Sequence, residues 1–114
     1  MKIFVEVVTV TTAGTPVVMP VPTGDTSNDK RYCQIDVFAL GANTGTNAYL
    51  GITSTFSKTT GVGLILPGVP KTATDNLVAR VGSVLAANEL VPAQFYVDVD
   101  TSADKVVVVY YKKG

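Results

Sequence analysis

The strongest constraint in this sequence is the repeated interruption of short apolar runs by residues that form turns. Runs rich in Val, Ile, Thr, Tyr and Phe alternate with clusters of Gly, Pro, Asn and Asp along the chain. Such runs, bounded by turn residues, are typical of β-strands. Ser83–Leu90 is the only segment rich in helix-forming residues, and Pro92 keeps it short. The sequence therefore predicts an all-β protein with at most one short helical turn.

The predicted strands number about seven to eight, at the spacing of a β-sandwich. They are the runs 3–12, 17–21, 32–40, 48–57, 64–66, 77–81, 94–100 and 105–112. No internal repeat or linker interrupts them, and 114 residues are the length of one domain. We therefore expect residues 1–114 to form a single β-sandwich or jelly-roll-like barrel. Gly51, inside the fourth run, predicts a bulge or a close approach of two segments.

Two runs indicate how they should sit in the sandwich. In the run Tyr32–Leu40, the odd-numbered residues are apolar and are predicted to face the core, whereas Tyr32 belongs to the opposite set. The run Lys105–Lys112 is apolar on both faces, and a strand with one face in water would alternate instead. We expect this last run to be either central in the sandwich or buried at an interface.

The composition excludes some kinds of partner. Nine basic and nine acidic residues give zero net charge, so no basic field attracts nucleic acid or anionic lipid. Glu6 interrupts the apolar run at the start of the chain, so this run is interpreted as a first strand and not as a signal peptide. No apolar stretch reaches the roughly 20 residues that a membrane helix needs. Charged residues are only 16% of the chain, which protects it poorly against self-association. We expect much of its surface to meet other protein chains.

The residue types also disfavour catalysis. Histidine is absent, which removes the usual general base and the commonest metal ligand. The one cysteine, Cys33, allows no internal disulfide, and we expect it to be a buried apolar residue in a protein assembled in a reducing cytoplasm. The glycines form no phosphate-binding motif. The sequence predicts no enzyme, no catalytic residue and no cofactor.

One acidic cluster is a weak candidate for a calcium site. Asp98, Asp100 and Asp104 have the spacing of ligands at the start of an EF-hand loop. Ala103 stands where that loop needs its glycine, and Val109 where it needs its bidentate glutamate. A solvated strand end and turn is the favoured interpretation.

The aromatic residues leave a second alternative open. Several of them lie in strand-like runs, namely Tyr49, Phe56, Tyr96, Tyr110 and Tyr111. An aromatic platform could bind a sugar, although the absence of tryptophan weakens that interpretation. Packing in the core or at a protein interface is favoured.

The order of short motifs along the chain is similar to that of a known family. The motifs are Val8–Val17, Phe38–Leu40, Asn43–Gly51, Ser57–Leu64, Leu66–Gly68, Phe95–Asp100 and Asp104–Val108. In this order they resemble the small β-sandwich virion proteins of tailed bacteriophages. The loop 23–31 and the segment 69–91 are longer than in that family, and either could be an added contact arm.

This resemblance implies a non-enzymatic structural protein of the virion, in the first place a capsid decoration (cement) protein. Such a protein binds the major capsid protein and copies of itself, with a trimer favoured, and stabilises contacts between capsomers on the phage head. It would be made in the cytoplasm of the host bacterium and located on the capsid surface. The alternatives are a tail or fibre accessory protein and a carbohydrate- or receptor-binding module.

The first and last strands are the predicted contact strands, because both are apolar on two faces and an exposed strand can add itself to a neighbouring sheet. They are Ile3–Val10 and Val106–Tyr111. The candidate interface residues are Ile3, Phe4, Val8, Val10, Tyr49, Phe56, Tyr110 and Tyr111.

Overall fold

The computed structural model describes residues 1–45, 47–56, 63–67 and 79–114, with 63–67 described by their backbone alone. Within these ranges the chain forms eight strands and one 3-10 turn, Pro92–Gln94. The strands are β1 (Lys2–Thr9), β2 (Val17–Val18), β3 (Gln34–Ala39), β4 (Asn47–Gly51), β5 (Gly63–Pro67), β6 (Ala79–Gly82), β7 (Tyr96–Val99) and β8 (Lys105–Lys112). The predicted all-β fold is confirmed. Residues 83–90 form turns and bends, and the helical turn begins at Pro92, whose fixed φ suits a first helical position.

The strands form two antiparallel sheets of four. Sheet A has the order β1-β8-β3-β6, and sheet B has the order β2-β7-β4-β5. The pairs β1–β8, β2–β7, β3–β6 and β4–β5 are those of one long hairpin rolled over on itself. This strand order makes the sandwich a jelly roll. None of the described residues forms a helix long and apolar enough to cross a membrane.

β8 lies inside sheet A, between β1 and β3, as the two-sided apolar pattern predicted for a central strand. Its residues Val106, Val108 and Tyr110 face sheet B and have no exposed surface. They belong to one buried cluster with Ile35, Val37, Ala39, Ala48, Leu50, Val97 and Val99. The core therefore lies between the sheets, with β8 at the middle of one wall.

The alternation predicted for β3 is confirmed over Ile35–Ala39 but is wrong for Tyr32. Ile35, Val37 and Ala39 are buried in the core, as predicted. Tyr32 is also fully buried, with its ring 5.2 Å from that of Tyr110. A bend at Cys33 interrupts the alternation, so Tyr32 turns to the core side.

The close approach predicted at Gly51 supplies a test of the packing. A Cβ added at Gly51 would overlap the ring of Phe56, whereas one added at Gly41 would meet nothing within 4 Å. Replacing Gly51 by Ala should lower the free energy of unfolding by about 1–3 kcal/mol, because the core must shift to accept the methyl group. The control Gly41→Ala should change it by less than about 1 kcal/mol. Urea unfolding followed by circular dichroism measures both, and equal losses would contradict this packing.

Candidate protein interface

β1 is an edge strand, and its two faces differ sharply in exposure. Among the described strands only β8 pairs with it, from Lys2 opposite Lys112 to Thr9 opposite Lys105. The even-numbered residues of β1 point toward the sandwich interior, where Val8 is buried. The odd-numbered residues point outward, and three large aliphatic side chains are more than half exposed: Ile3 (59%), Val5 (59%) and Val7 (52%).

The outward face of β8 extends this apolar surface. Tyr111, Val109 and Val107 lie opposite Ile3, Val5 and Val7 in the β1–β8 register, so their side chains share the outer face. Val109 and Tyr111 are half-buried and Val107 is buried. We call the six residues Ile3, Val5, Val7, Val107, Val109 and Tyr111 the outer strip. Its three β1 members are exposed, and exposed aliphatic side chains beside further apolar surface are typical of interaction sites.

Phe38 of β3 continues the apolar surface beside Val107, but the other outward side chains of β3 and β6 are polar and paired. Asp36 of β3 receives two hydrogen bonds from Arg80 of β6, at 2.8 and 3.0 Å, and one from Gln34 at 3.0 Å. Burial alone would raise the pKa of Asp36, but the hydrogen bonds from Arg80 and Gln34 outweigh it and lower the pKa. The Tyr111 hydroxyl donates to the same carboxylate at 3.2 Å. The outer strip thus meets a charged border at Asp36 and Arg80, beside Val109 and Tyr111.

The loop 23–31 is fastened to β8 by a buried ion pair. The carboxylate of Asp25 lies 3.1 Å from the ammonium group of Lys112, and both residues are buried. Ser27 and Tyr32 also donate hydrogen bonds to Asp25, each at 2.7 Å. These bonds outweigh burial and hold the pKa of Asp25 well below its ordinary value. Lys112, the last residue of β8, therefore anchors this loop.

Most of the predicted interface residues lie inside the protein. Ile3 is exposed and Tyr111 is half-buried, so both are available on the outer strip. Phe4 is half-buried and packs edge-on against Tyr32, with ring centres 6.3 Å apart. The other five candidates offer little surface to a partner in this fold, since each is at most 7% exposed: Val8, Val10, Tyr49, Phe56 and Tyr110.

Two residues of the outer strip that were not named individually, Val5 and Val7, are among its most exposed members. Both lie inside Ile3–Val10, the predicted contact strand, whose role in a contact stays a prediction. The sequence could not assign the faces of β1, because both of its residue sets contain large apolar side chains. An exposed face in water would normally have shown polar residues.

The three aspartates of the calcium candidate do not converge on a common point. No group of three acidic, cysteine or histidine residues that could hold a metal ion is found among the described residues. Asp98 accepts a hydrogen bond from the Gly14 amide at 3.0 Å. Asp104 accepts from the Thr44 amide at 3.0 Å and from the Gly45 amide at 2.7 Å. Asp98 and Asp104 are buried, which also corrects the interpretation as a solvated turn.

The tyrosines do not form a platform for a sugar within the described ranges. Tyr32 and Tyr110 have no exposed surface, and Tyr49 is 7% exposed. The remaining two, Tyr96 and Tyr111, are half-buried and lie in different sheets.

Comparison of the chain with protein family models, with curated proteins and with solved structures finds no match. The features of the molecule that bear on its function are therefore the outer strip and the edge strand β1.

The Asp25–Lys112 pair predicts a specific dependence of stability on pH. Because the folded state depresses the pKa of Asp25, its carboxylate stabilises the fold above the ordinary carboxyl pKa of about 3.9, and this stabilisation is lost as the pH falls below that value. Asp25→Asn should therefore be less stable than wild type at pH 7, and the difference should narrow toward about pH 3.

Urea unfolding at several pH values measures this difference. Thr26→Ala, an exposed change in the same loop, should leave the stability and its pH dependence unaltered. A difference between wild type and Asp25→Asn that stays constant from neutral to acid pH would show that Asp25 does not carry the stabilising charge.

Proposed function

We propose that this chain is a non-enzymatic structural protein of a tailed-phage virion, a capsid decoration protein that binds the major capsid protein through the outer strip. The observation that carries the proposal is the exposure of Ile3, Val5 and Val7 on an edge strand next to apolar residues of β8. A protein that worked alone in water would keep large aliphatic side chains off such a strand.

Decoration needs no chemistry from the bound protein. A ligand that binds only the assembled shell stabilises the shell by mass action. Many weak contacts repeated over a lattice add up, because each neighbour raises the effective concentration of the next. An apolar strip of modest size therefore suffices, and the low content of charged residues, 16%, lowers the cost of covering the surrounding surface.

The jelly roll is compatible with this role but does not select it. Jelly rolls occur in viral capsid domains and in lectins, and a fold by itself does not assign a function. The burial of Tyr32, Tyr49 and Tyr110 argues against a stacking site for sugars in the described part of the chain. The outer strip, which is aliphatic except for Tyr111, suits a protein partner better.

The outer strip can be tested by one charge. Val5→Lys should abolish binding to purified phage heads, because the contact would bury the lysine charge without a partner. The free energy of unfolding should stay unchanged, since Val5 is 59% exposed in the free protein. Val18→Lys is the matched control: Val18 is 45% exposed but lies on β2 of the other sheet. Co-sedimentation with heads that lack the protein measures binding. Equal binding by both variants would remove the outer strip as the contact surface.

The number of copies per virion separates decoration from the tail or fibre alternative. A lattice-wide decoration protein should be present in amounts comparable to the major capsid protein. Quantitative mass spectrometry of purified virions measures this ratio. A few copies per particle would indicate a tail, fibre or vertex component, and complete absence would contradict a virion role.

A further inference from the structure

The free edge of β1 carries backbone groups that can be assigned residue by residue. In an antiparallel pair, successive residues alternate between bonding to the neighbouring strand and pointing away from it. Val10, just after β1, directs its amide toward the β8 side, where it donates to the Asp104 carbonyl at 3.0 Å. The even-numbered residues of β1 therefore bond to β8. The odd-numbered residues point their backbone groups to the free edge, and these are Ile3, Val5 and Val7.

The bonds on the far side of β8 confirm this assignment. The carbonyl of Lys105 accepts from the Leu40 amide at 3.2 Å, and that of Tyr111 accepts from the Cys33 amide at 2.9 Å. Odd-numbered residues of β8 thus bond toward β3, which leaves its even-numbered residues for β1. Within the described ranges, no backbone hydrogen bond to another segment is found on the free edge of β1.

We propose that the free edge of β1 binds β1 of a second copy of this chain, antiparallel, across a two-fold axis at Phe4. Sheet A then runs unbroken through both copies. An edge strand can pair with a strand of another chain through main-chain hydrogen bonds, and the side chains of the two strands determine the register. The proposal thus specifies the occupant of the edge and its register.

Charge selects this register among the alignments that the backbone allows. With the axis at Phe4, Lys2 lies opposite Glu6 of the second copy, and this favourable pair occurs twice. With the axis at Glu6, the two Glu6 carboxylates face each other, which is destabilising. With the axis at Val5, Glu6 lies opposite Phe4 and neither charge has a partner. The Phe4 register also places Ile3 opposite Val5, so apolar side chains of the two outer strips meet.

The Glu6 side chain is already oriented by hydrogen bonds on the β1 edge. Glu6 accepts the Thr23 amide at 2.6 Å and the Thr23 hydroxyl at 2.9 Å, both on its Oε1 atom. Its second oxygen accepts no bond from the described residues, and Lys2 is exposed. A pre-oriented carboxylate loses less side-chain entropy when it binds a cation. Thr23 therefore prepares Glu6 for the lysine of a second copy.

This contact closes on itself, because in a two-fold pair each copy uses the same surface. It gives a dimer where the family resemblance implies a trimer. The inference rests on the proposed function in one respect: both require that copies of this chain bind each other. Dimers should form without any capsid, so pairing and capsid binding can fail separately.

Complementary charge reversals test the pairing. Lys2→Glu places two acidic residues opposite each other at both ends of the joint, and Glu6→Lys places two basic residues there. Each variant alone should dimerise about tenfold or more weakly than wild type. An equal mixture of the two should recover the dimer, because every opposed pair is then one lysine and one glutamate. Analytical ultracentrifugation of the full chain measures all three samples, with unfolding curves to show that each variant is folded.

A wild-type protein that stays monomeric at its highest soluble concentration would overturn the proposal, whatever its binding to capsids. So would a mixture that dimerises no better than its components. A Val5→Lys variant that still dimerises but no longer binds phage heads would support both ideas. An intact dimer together with no wild-type capsid binding would reject decoration alone.

Single cysteines test the register. Phe4→Cys should form an intermolecular disulfide under mild oxidation, since residues opposed in a non-hydrogen-bonded pair have Cα atoms about 4.5 Å apart. Val5→Cys should form little, because Val5 faces Ile3 of the second copy. Native Cys33 is buried and is common to both variants. Preferential cross-linking of Val5→Cys would overturn the register, and the charge reversals remain decisive if Phe4→Cys folds poorly.

Discussion

The structure depends on β8 having a partner on each side. This strand pairs with β1 over its whole length and with β3 over six residues, so sheet A has no continuity without it. One set of its side chains supplies the centre of the core, and the other supplies half of the outer strip. A run of apolar residues on both faces is therefore required by the position of the strand, because neither of its faces is freely open to water.

β1, unlike β8, has a neighbouring strand on one side only, and its outer face is exposed. An edge of this kind suggests a protein that assembles with others. Natural sheets usually protect an edge with short strands, prolines, bulges or inward charges. β1 has eight residues, no proline and three exposed aliphatic side chains. Its only charges are Lys2 and Glu6, and in the proposed register each would lie opposite the other in a second copy. Such charges would favour one alignment of the added strand over others, and this selectivity would distinguish an assembly surface from an aggregation hazard.

The sequence predicted the features that depend on local pattern and missed those that depend on distant pairing. β8 is found at Lys105–Lys112 as predicted, because a continuous apolar run between turn residues has few alternatives. Tyr32 was misplaced since a bend at Cys33 shifts the alternation by one residue, and nothing in the composition marks that bend.

The candidate site was predicted only in part, for a related reason. Both faces of β1 are apolar, so only the pairing with β8 shows which one is outside. The ion pair of Asp25 and Lys112 joins residues 87 positions apart, so no pattern in the neighbouring sequence could predict it. The aspartates at 98 and 104 have a spacing that suggests calcium, but their burial assigns them to backbone amides. The predicted strand 48–57 ends early, at Gly51, and parts of the chain near it lie outside the described residues.

The place of β8 in the strand order has a consequence for synthesis on the ribosome. Seven of the described strands leave the ribosomal tunnel before it, yet β1 cannot join sheet A until β8 arrives to pair with both β1 and β3. Sheet B is different, since β4 can already pair with β5 and then with β7. A nascent chain would thus expose the apolar first strand for most of its translation. Chaperones that hold unfolded segments have the longest opportunity to bind at β1, and the final strand displaces them.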